Sequence, residues 1–391
     1  MTSVKPQPLI SRRDFLAGTV ATIGLGTQIS VGAQTLSAQL LGPIRTISHL
    51  PHRYHGWSTI ARGKSGRLFL SYSGGRESHV CPFGRVEFMQ SDDDGRTWTW
   101  PQVIHDGPID DRDSGILETH QGTLLATSFS SLAYQPILAT QQKSPTWSLE
   151  KRQQWESVHN RLNSSEREAQ LGQWMIRSTD GGKSWSPPYS SIVNSPHGPI
   201  QLADGRLFYA GKELWTGQKR VGACISEDDG ISWQWLSEIP TRRGDQAANY
   251  HELHGVECQN GQIIVHIRNH NSTHNRETLQ TESLDGGLTW TQPHSIGVWG
   301  LPSHLLKLRD HRLMMSYGYR RQPYGNQVRV SNDHGATWSS PLTLSNDGAS
   351  GDLGYPSTVE LEDQSFLTVW YEKLKGNANA VLRQAHWRLN A

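Results

Sequence analysis

The sequence is poor in cysteine, in net charge and in long apolar runs, and each shortage excludes something. Only three Cys occur in 391 residues, Cys81, Cys224 and Cys258. An odd, sparse set does not describe a disulfide framework. Cys224 and Cys258 fall in apolar strand patterns, so buried free thiols are expected. Lys and Arg number 37 against 36 Asp and Glu, a formal net charge of +1. No overall field draws the chain to nucleic acid or to an anionic membrane surface, and neither is expected as a partner. Beyond the N-terminal segment no stretch is long and apolar enough to span a bilayer. Long helices are also hard to fit into a chain with 38 Gly, 19 Pro and 15 Trp. Many short strands joined by turns fit it easily, and the length suits a large all-β domain.

The N-terminus reads as an export signal. Ser11-Arg12-Arg13-Asp14-Phe15-Leu16 is a twin-arginine pattern, and a Gly/Ala/Thr-rich, weakly apolar run follows it. Val31-Gly32-Ala33 offers small residues for cleavage, with Leu36-Ser37-Ala38 as a second site. The run is too polar for an anchoring helix. Residues 1–33 are therefore expected to be a twin-arginine signal. Residues 34–391 would form one domain delivered to the periplasm or secreted. That route carries folded proteins, in keeping with the lack of a disulfide plan.

Repeats are what the sequence has in plenty. Ser91-Asp92-Asp93-Asp94-Gly95-Arg96-Thr97-Trp98 recurs from Ser178 to Trp185, Ser226 to Trp233, Ser283 to Trp290 and Ser331 to Trp338. Each copy keeps Ser, Asp, Gly, Ser/Thr and Trp at fixed offsets. This is the chemistry of a tight turn: Asp accepts backbone N–H bonds, Gly takes positive φ, and Trp packs beneath. A second repeat precedes each copy, a strand, a turn centred on Gly66, Gly122, Gly205, Gly261, His311 or Gln364, and a return strand. Six strand pairs with five boxes predict an all-β, six-bladed β-propeller. The segment around Ile44-Arg45-Thr46-Ile47 is expected to close the ring in the last blade. The first two boxes lie further apart than the others, and the excess, from about Lys143 to Gly172, is polar and predicts a helical insertion in blade two. It could overhang the channel mouth as a lid or simply decorate the surface.

The repeated turn resembles the Asp-box of sialidases and related propellers, which names a fold and not a reaction. Stepping back nine residues from each turn finds the positions expected at the channel mouth: Trp57, Asp113, Glu252 and Tyr355. The string His251-Glu252-Leu253-His254-Gly255-Val256-Glu257, with Arg268-Asn269 on the return strand, is similar to sialidases at every spacing. Gly354-Tyr355-Pro356-Ser357, followed by Tyr371-Glu372, looks like the segment holding the nucleophilic Tyr and a Glu that buttresses an arginine. Arg320-Arg321 lies near the place of another substrate arginine. Twelve residues before the first box, where sialidases carry an Asp acid/base, stands His79; Asp113 and Glu77 are the alternatives. The first sialidase arginine falls in register with Gly56, and Arg53, Arg76 or Arg112 could fill its place.

The resemblance implies a Tyr-nucleophile glycosidase. Arginine forks would hold an acidic sugar through bidentate bonds. Tyr355 would attack the anomeric carbon with Glu252 accepting its proton, and His79 or Asp113 would protonate the leaving oxygen. His197, His251, His254 and His304 also lie near inner-strand starts. No H-x-x-x-H spacing supports a metal among them, so they are expected to line a sugar pocket, with Trp299 and Trp215 as stacking platforms. No cofactor and no metal is expected, and the chain is expected to act as a monomer on a carbohydrate carrying an acidic sugar. Two other functions fit the same residues: a lyase using His or Tyr as base beside a uronate, and a glycan-binding propeller without catalysis.

Overall fold

Short strands broken by positive-φ turns can bury apolar side chains only against neighbouring sheets, and this chain does so around a ring. The computed structural model describes residues 36–215, 218–272 and 277–390; the expected export signal lies outside them. Six antiparallel sheets follow one another in chain order. Blade one is Tyr54–Arg62, Leu68–Arg76, Arg85–Ser91 and Gln102–His105. Blade two has a split inner strand, Asp110–Arg112 and Ile116–Glu118, before Leu124–Ser131, Gln173–Ser178 and Tyr189–Ser190. The inner strands of blades three to six are Ile200–Gln201, Tyr250–Glu257, Ser303–Lys307 and Leu353–Glu360.

The last blade is built from both ends of the chain. Ala380–Asn390 pairs with Ser37–Leu40 and with Arg45–Thr46. The predicted closing segment is therefore correct and is extended by an earlier strand. Because Ser37–Leu40 is paired along its length, the later of the two expected cleavage sites falls inside the sheet.

The core lies between blades. Leu202, Phe208 and Ile225 of blade three pack with Leu253, Ile263, Val265 and Leu279 of blade four. All three cysteines are buried and free, as the apolar strand patterns around Cys224 and Cys258 predict for those two.

The boxes form as their residue types require. In the first, Ser91 donates to Asp93 Oδ1 at 2.8 Å and accepts from Gly95 N at 2.9 Å; Asp93 also accepts from the Thr97 amide at 2.8 Å. Gly95 has φ +78°, where a side chain is strained. The box tryptophans tie blades together. Trp98 donates to Gln384 of blade six, Trp290 to Ser237 of blade three and Trp338 to Gln280 of blade four.

The insertion is helical and starts earlier than predicted: α1 is Gln135–Lys143, α2 Leu149–His159 and α3 Ser164–Ala169. It docks on the blade-one loop that holds His79. Trp155 is buried with Cys81, Tyr134 and Leu138. Its indole donates to Glu77 at 2.5 Å, and Lys151 pairs with the same carboxylate at 3.2 Å.

Candidate functional site

The channel mouth is made by four inner-strand residues held out of strand geometry. Trp57, Asp113, Glu252 and Tyr355 have φ of 54°, 52°, 46° and 52°. For residues with a side chain this region costs on the order of 1–3 kcal/mol each. Pairing skips at the same places, between Gly56 and Thr59, His251 and His254, and Gly354 and Ser357. Blade two interrupts its inner strand there altogether. Each skip acts as a bulge that turns one side chain away from the sheet.

Three of the predicted residues meet. The Tyr355 hydroxyl donates to Glu252 Oε1 at 2.6 Å. Arg268 reaches both Glu252 oxygens, at 2.6 and 2.5 Å, and lies 3.4 Å from the Tyr355 oxygen. Burial alone would raise the Glu252 carboxyl, but the Arg268 charge and hydrogen bonds, with help from Tyr355 and Arg320, pull it down to about 2. Tyr355 is driven well above its ordinary value by burial and by the charges of Glu252 and Asp113, against Arg268. At rest the pair is thus a neutral phenol on a carboxylate. Asp113 is pushed up to about 7, by burial first and then by Glu252.

The arginines divide. Arg320 stands 5.8 Å from the Tyr355 ring, bonded to the Leu353 carbonyl and the Tyr371 hydroxyl. Arg112 lies 4.5 Å from the Trp57 ring centre. Arg268, Arg320 and Arg112 therefore surround the mouth, and Arg268 Nε is buried without a hydrogen-bond partner. Arg321 turns outward, 4.3 Å over Trp299. Three other expectations are corrected. Arg76 is fully buried and forked onto Asp110 at 2.6 and 3.0 Å, so it braces the mouth from behind and cannot touch a ligand. Arg53 is exposed and lines a separate cleft with Arg85, Arg161 and Asp106. Glu372 does buttress an arginine, but this is Arg383 of the same blade, at 2.5 Å, and the carboxylate is wholly buried.

The histidines are corrected too. His197, His254 and His304 form a buried cluster with ring centres 4.7 to 5.3 Å apart. They lie beneath Tyr355, whose ring is 6.3 Å from His197. They line a cavity of about 350 Å³ bounded by Arg62, Glu118, Lys307 and Glu360, at the far ends of the inner strands. That cavity opens opposite the Tyr355 mouth, so they do not form a sugar pocket around it. Burial holds their protonation well below the ordinary range. Among the described residues no group of three or more His, Cys, Asp or Glu is arranged to hold a metal ion. The His251 ring lies tilted against that of His270, their centres 4.8 Å apart, and Trp215 is exposed on blade three.

Glu257 and Glu77 have structural partners. Glu257 accepts from the Ala203 amide of blade three at 2.6 Å. Glu118 and Glu360, at the same inner-strand position in blades two and six, accept from Lys64 and Arg309 amides at 2.7 and 2.8 Å. The second Glu of the blade-four string is thus a stitch between blades. Glu77 is taken up by α2. His79, by contrast, is exposed at the mouth, its ring 5.0 Å from Trp57.

Tyr54, Tyr371 and Asp352, which the sequence reading did not place in the site, complete the wall. Tyr54, Trp57, Tyr355 and Tyr371 form a continuous set of ring contacts, and Asp352 joins Tyr54 at 2.8 Å. Strand alternation was the available signal for Tyr371, which faces the mouth because Glu372 faces away. Asp352 gave none, since its partner Tyr54 is 298 residues distant.

A Tyr–Glu–Arg centre at the mouth of a six-bladed, Asp-box ring defines a propeller of the sialidase type. The chain belongs to the BNR repeat-like domain family, which matches residues 157–369, more than half of it. A sialidase of Bacteroides fragilis is 25% identical over 224 residues, covering 51% of this chain and 39% of that protein. The chain thus spans about two-fifths of that relative's length. Among solved structures, a Dyadobacter fermentans protein of unknown function superposes with a TM-score of 0.70 at 22% identity, covering 89% of this chain and 99% of the other. The Hadza microbial sialidase Hz136 gives 0.62 at 17%, covering 88% and 68%. The Ruminococcus gnavus intramolecular trans-sialidase gives 0.60 at 11%, covering 89% and 96%. At these identities the structural likeness speaks for the fold alone.

Proposed function

We propose that this protein is an exported glycosidase that cleaves an acidic sugar of the sialic-acid type from a glycan. The observation that carries the reading is the Tyr355 hydroxyl 2.6 Å from Glu252, with Arg268 across both. A carboxylate nucleophile would be repelled by an anomeric carbon that already bears a carboxylate. A phenol is neutral until the moment of attack, and Glu252 is placed to take its proton. Arg268, Arg320 and Arg112 supply the cationic surface for the sugar's acid group. The relatives named sialidase support the substrate class. The twin-arginine pattern supports export to the periplasm or beyond, and we propose that the enzyme acts there as a monomer.

The test is an incubation of the purified protein with sialosides and with uronate polysaccharides. Released sialic acid, abolished in Tyr355→Phe while glycan binding persists, is the expected result. Ultraviolet absorbance from an unsaturated product without free sialic acid would make the protein a lyase. Binding without either product would make it a lectin-like propeller.

A further inference from the structure

The centre described so far has a nucleophile, its base and a cationic cradle, and it needs a proton donor for the leaving oxygen. Three groups from two blades converge beside Trp57 in a way the mechanism has not used. His79 Nδ1 lies 2.9 Å from Asp352 Oδ1, the Tyr54 hydroxyl donates to the same oxygen at 2.8 Å, and Tyr54 and His79 are 2.8 Å apart. Asp352 belongs to the segment that leads into the inner strand of blade six, three residues before Tyr355. Burial works against its ionisation, but His79, Tyr54 and Arg320 outweigh burial and hold it below the ordinary range. An ionised carboxylate only accepts hydrogen bonds. Nδ1 of His79 must therefore carry a proton, and Nε2 is the nitrogen left for exchange. The ring is half exposed, with 46% of its side chain accessible, so Nε2 can meet a ligand.

We infer that Asp352, seconded by Tyr54, is a positioning residue. It keeps Nδ1 of the His79 ring protonated in both charge states and presents Nε2, which carries its proton in the imidazolium form, as the acid that protonates the leaving group. Asp113 is the other candidate, but it is buried beside Glu252 and Tyr355, on the side from which the nucleophile attacks. The leaving group must depart on the opposite, solvent side, where His79 stands. The steps balance. The Tyr355 oxygen bonds to the anomeric carbon as its proton passes to Glu252, while the glycosidic C–O bond breaks and its oxygen takes the Nε2 proton of the His79 imidazolium, leaving the neutral ring with Nδ1 protonated. Water then attacks the same carbon and gives a proton to Nε2, and Tyr355 leaves with the proton held by Glu252. The loop bearing His79 is packed under Trp155 of α2, so the insertion in blade two supports the donor.

This inference rests on the proposed glycosidase reading, and two measurements let them fail separately. The first compares aryl sialosides with good leaving groups against a sialyl-lactose, whose leaving alcohol needs a proton. Asp352→Asn and Tyr54→Phe are each expected to lose about ten- to a hundredfold in kcat on the lactoside. On the activated aryl substrates they should lose less than threefold, with Asp113→Asn showing no such split. Equal losses on both substrate types would make Asp352 merely structural and overturn the inference. The second measurement needs no turnover. The ¹⁵N spectrum of His79, assigned by its loss in His79→Gln, should show a protonated Nδ1 and a bare Nε2 in the neutral ring, and Asp352→Asn should shift that balance. A wild-type ring with bare Nδ1 overturns the inference, whereas a protein that releases no sialic acid from any sialoside overturns the glycosidase reading.

Discussion

Glu252 and Asp113 occupy one channel mouth and are pushed in opposite directions, to about 2 and about 7. Environment separates them: Arg268 Nη1 bonds both Glu252 oxygens, while Asp113 is buried near that carboxylate and the charges of Arg112, Arg76 and Arg268 only partly offset its burial. The divergence comes from surroundings and not from residue type. It also has a stability consequence. A carboxyl whose folded value is raised resists ionisation in the folded state, so stability falls as pH rises from about 4 to about 7. Asp113→Asn should therefore raise the thermal midpoint more at pH 8 than at pH 4. Equal gains at both values would show that Asp113 ionises freely in the fold. Among the site residues, Glu252, Arg268 and Tyr355 were legible because each sits at a fixed distance from a repeated turn. Arg76 was misread because the sequence gives no sign of which carboxylate an arginine will meet across blades, and Arg53 and Glu372 because it gives no sign of which side chains turn away from the mouth. Asp110 is 34 residues from Arg76, and nothing between them marks the pair.

At the scale of elements, the blades were readable and the attachments between them were not. Periodicity and turn chemistry located all six strand pairs. The docking of the insertion depends on Trp155 filling a cavity beneath Cys81 and Tyr134, a tertiary match that polar helical periodicity cannot announce. Trp155→Ala should cost about 3–5 kcal/mol in denaturant unfolding and should expose the 77–84 loop to protease. A loss under about 1 kcal/mol would mean that the insertion is only surface decoration. The Glu118, Glu257 and Glu360 stitches join blade one to two, three to four and five to six. Blades two, four and six are also the ones that place Asp113, Glu252 and Tyr355 at the mouth. Blades three and five carry Pro196 and Pro302 at the equivalent positions.

The whole molecule should respond to acid in two stages. Burial lowers His55, His251 and His266 to about 4 and His304 to about 3. A group depressed in the fold contributes stability that is present above its unfolded value and lost as pH falls. The first loss should thus begin near about 6.5. The second comes from the boxes. Thr289 and Ser184 bonds hold Asp285, at about 2, and Asp180 below the usual carboxylate range. In Asp93, Asp228 and Asp333 similar bonds outweigh slight burial. Their contribution is lost below about 4. Thermal melting across pH should show both limbs, and a flat plateau down to about pH 4 would show that the imidazoles gain protons without cost.

The sharing of the last blade between Ser37–Leu40 and Ala380–Asn390 has a further consequence for how the chain is threaded. Ser37 is paired directly with Asn390, so the two ends of the ring lie side by side on one edge. A short linker could join them, and the backbone could be opened in an exposed turn of another blade without moving any strand. The order in which the blades are written along the chain is then a matter of where the ring was cut. The mouth, assembled from residues of blades one, two, four and six, would survive being cut elsewhere.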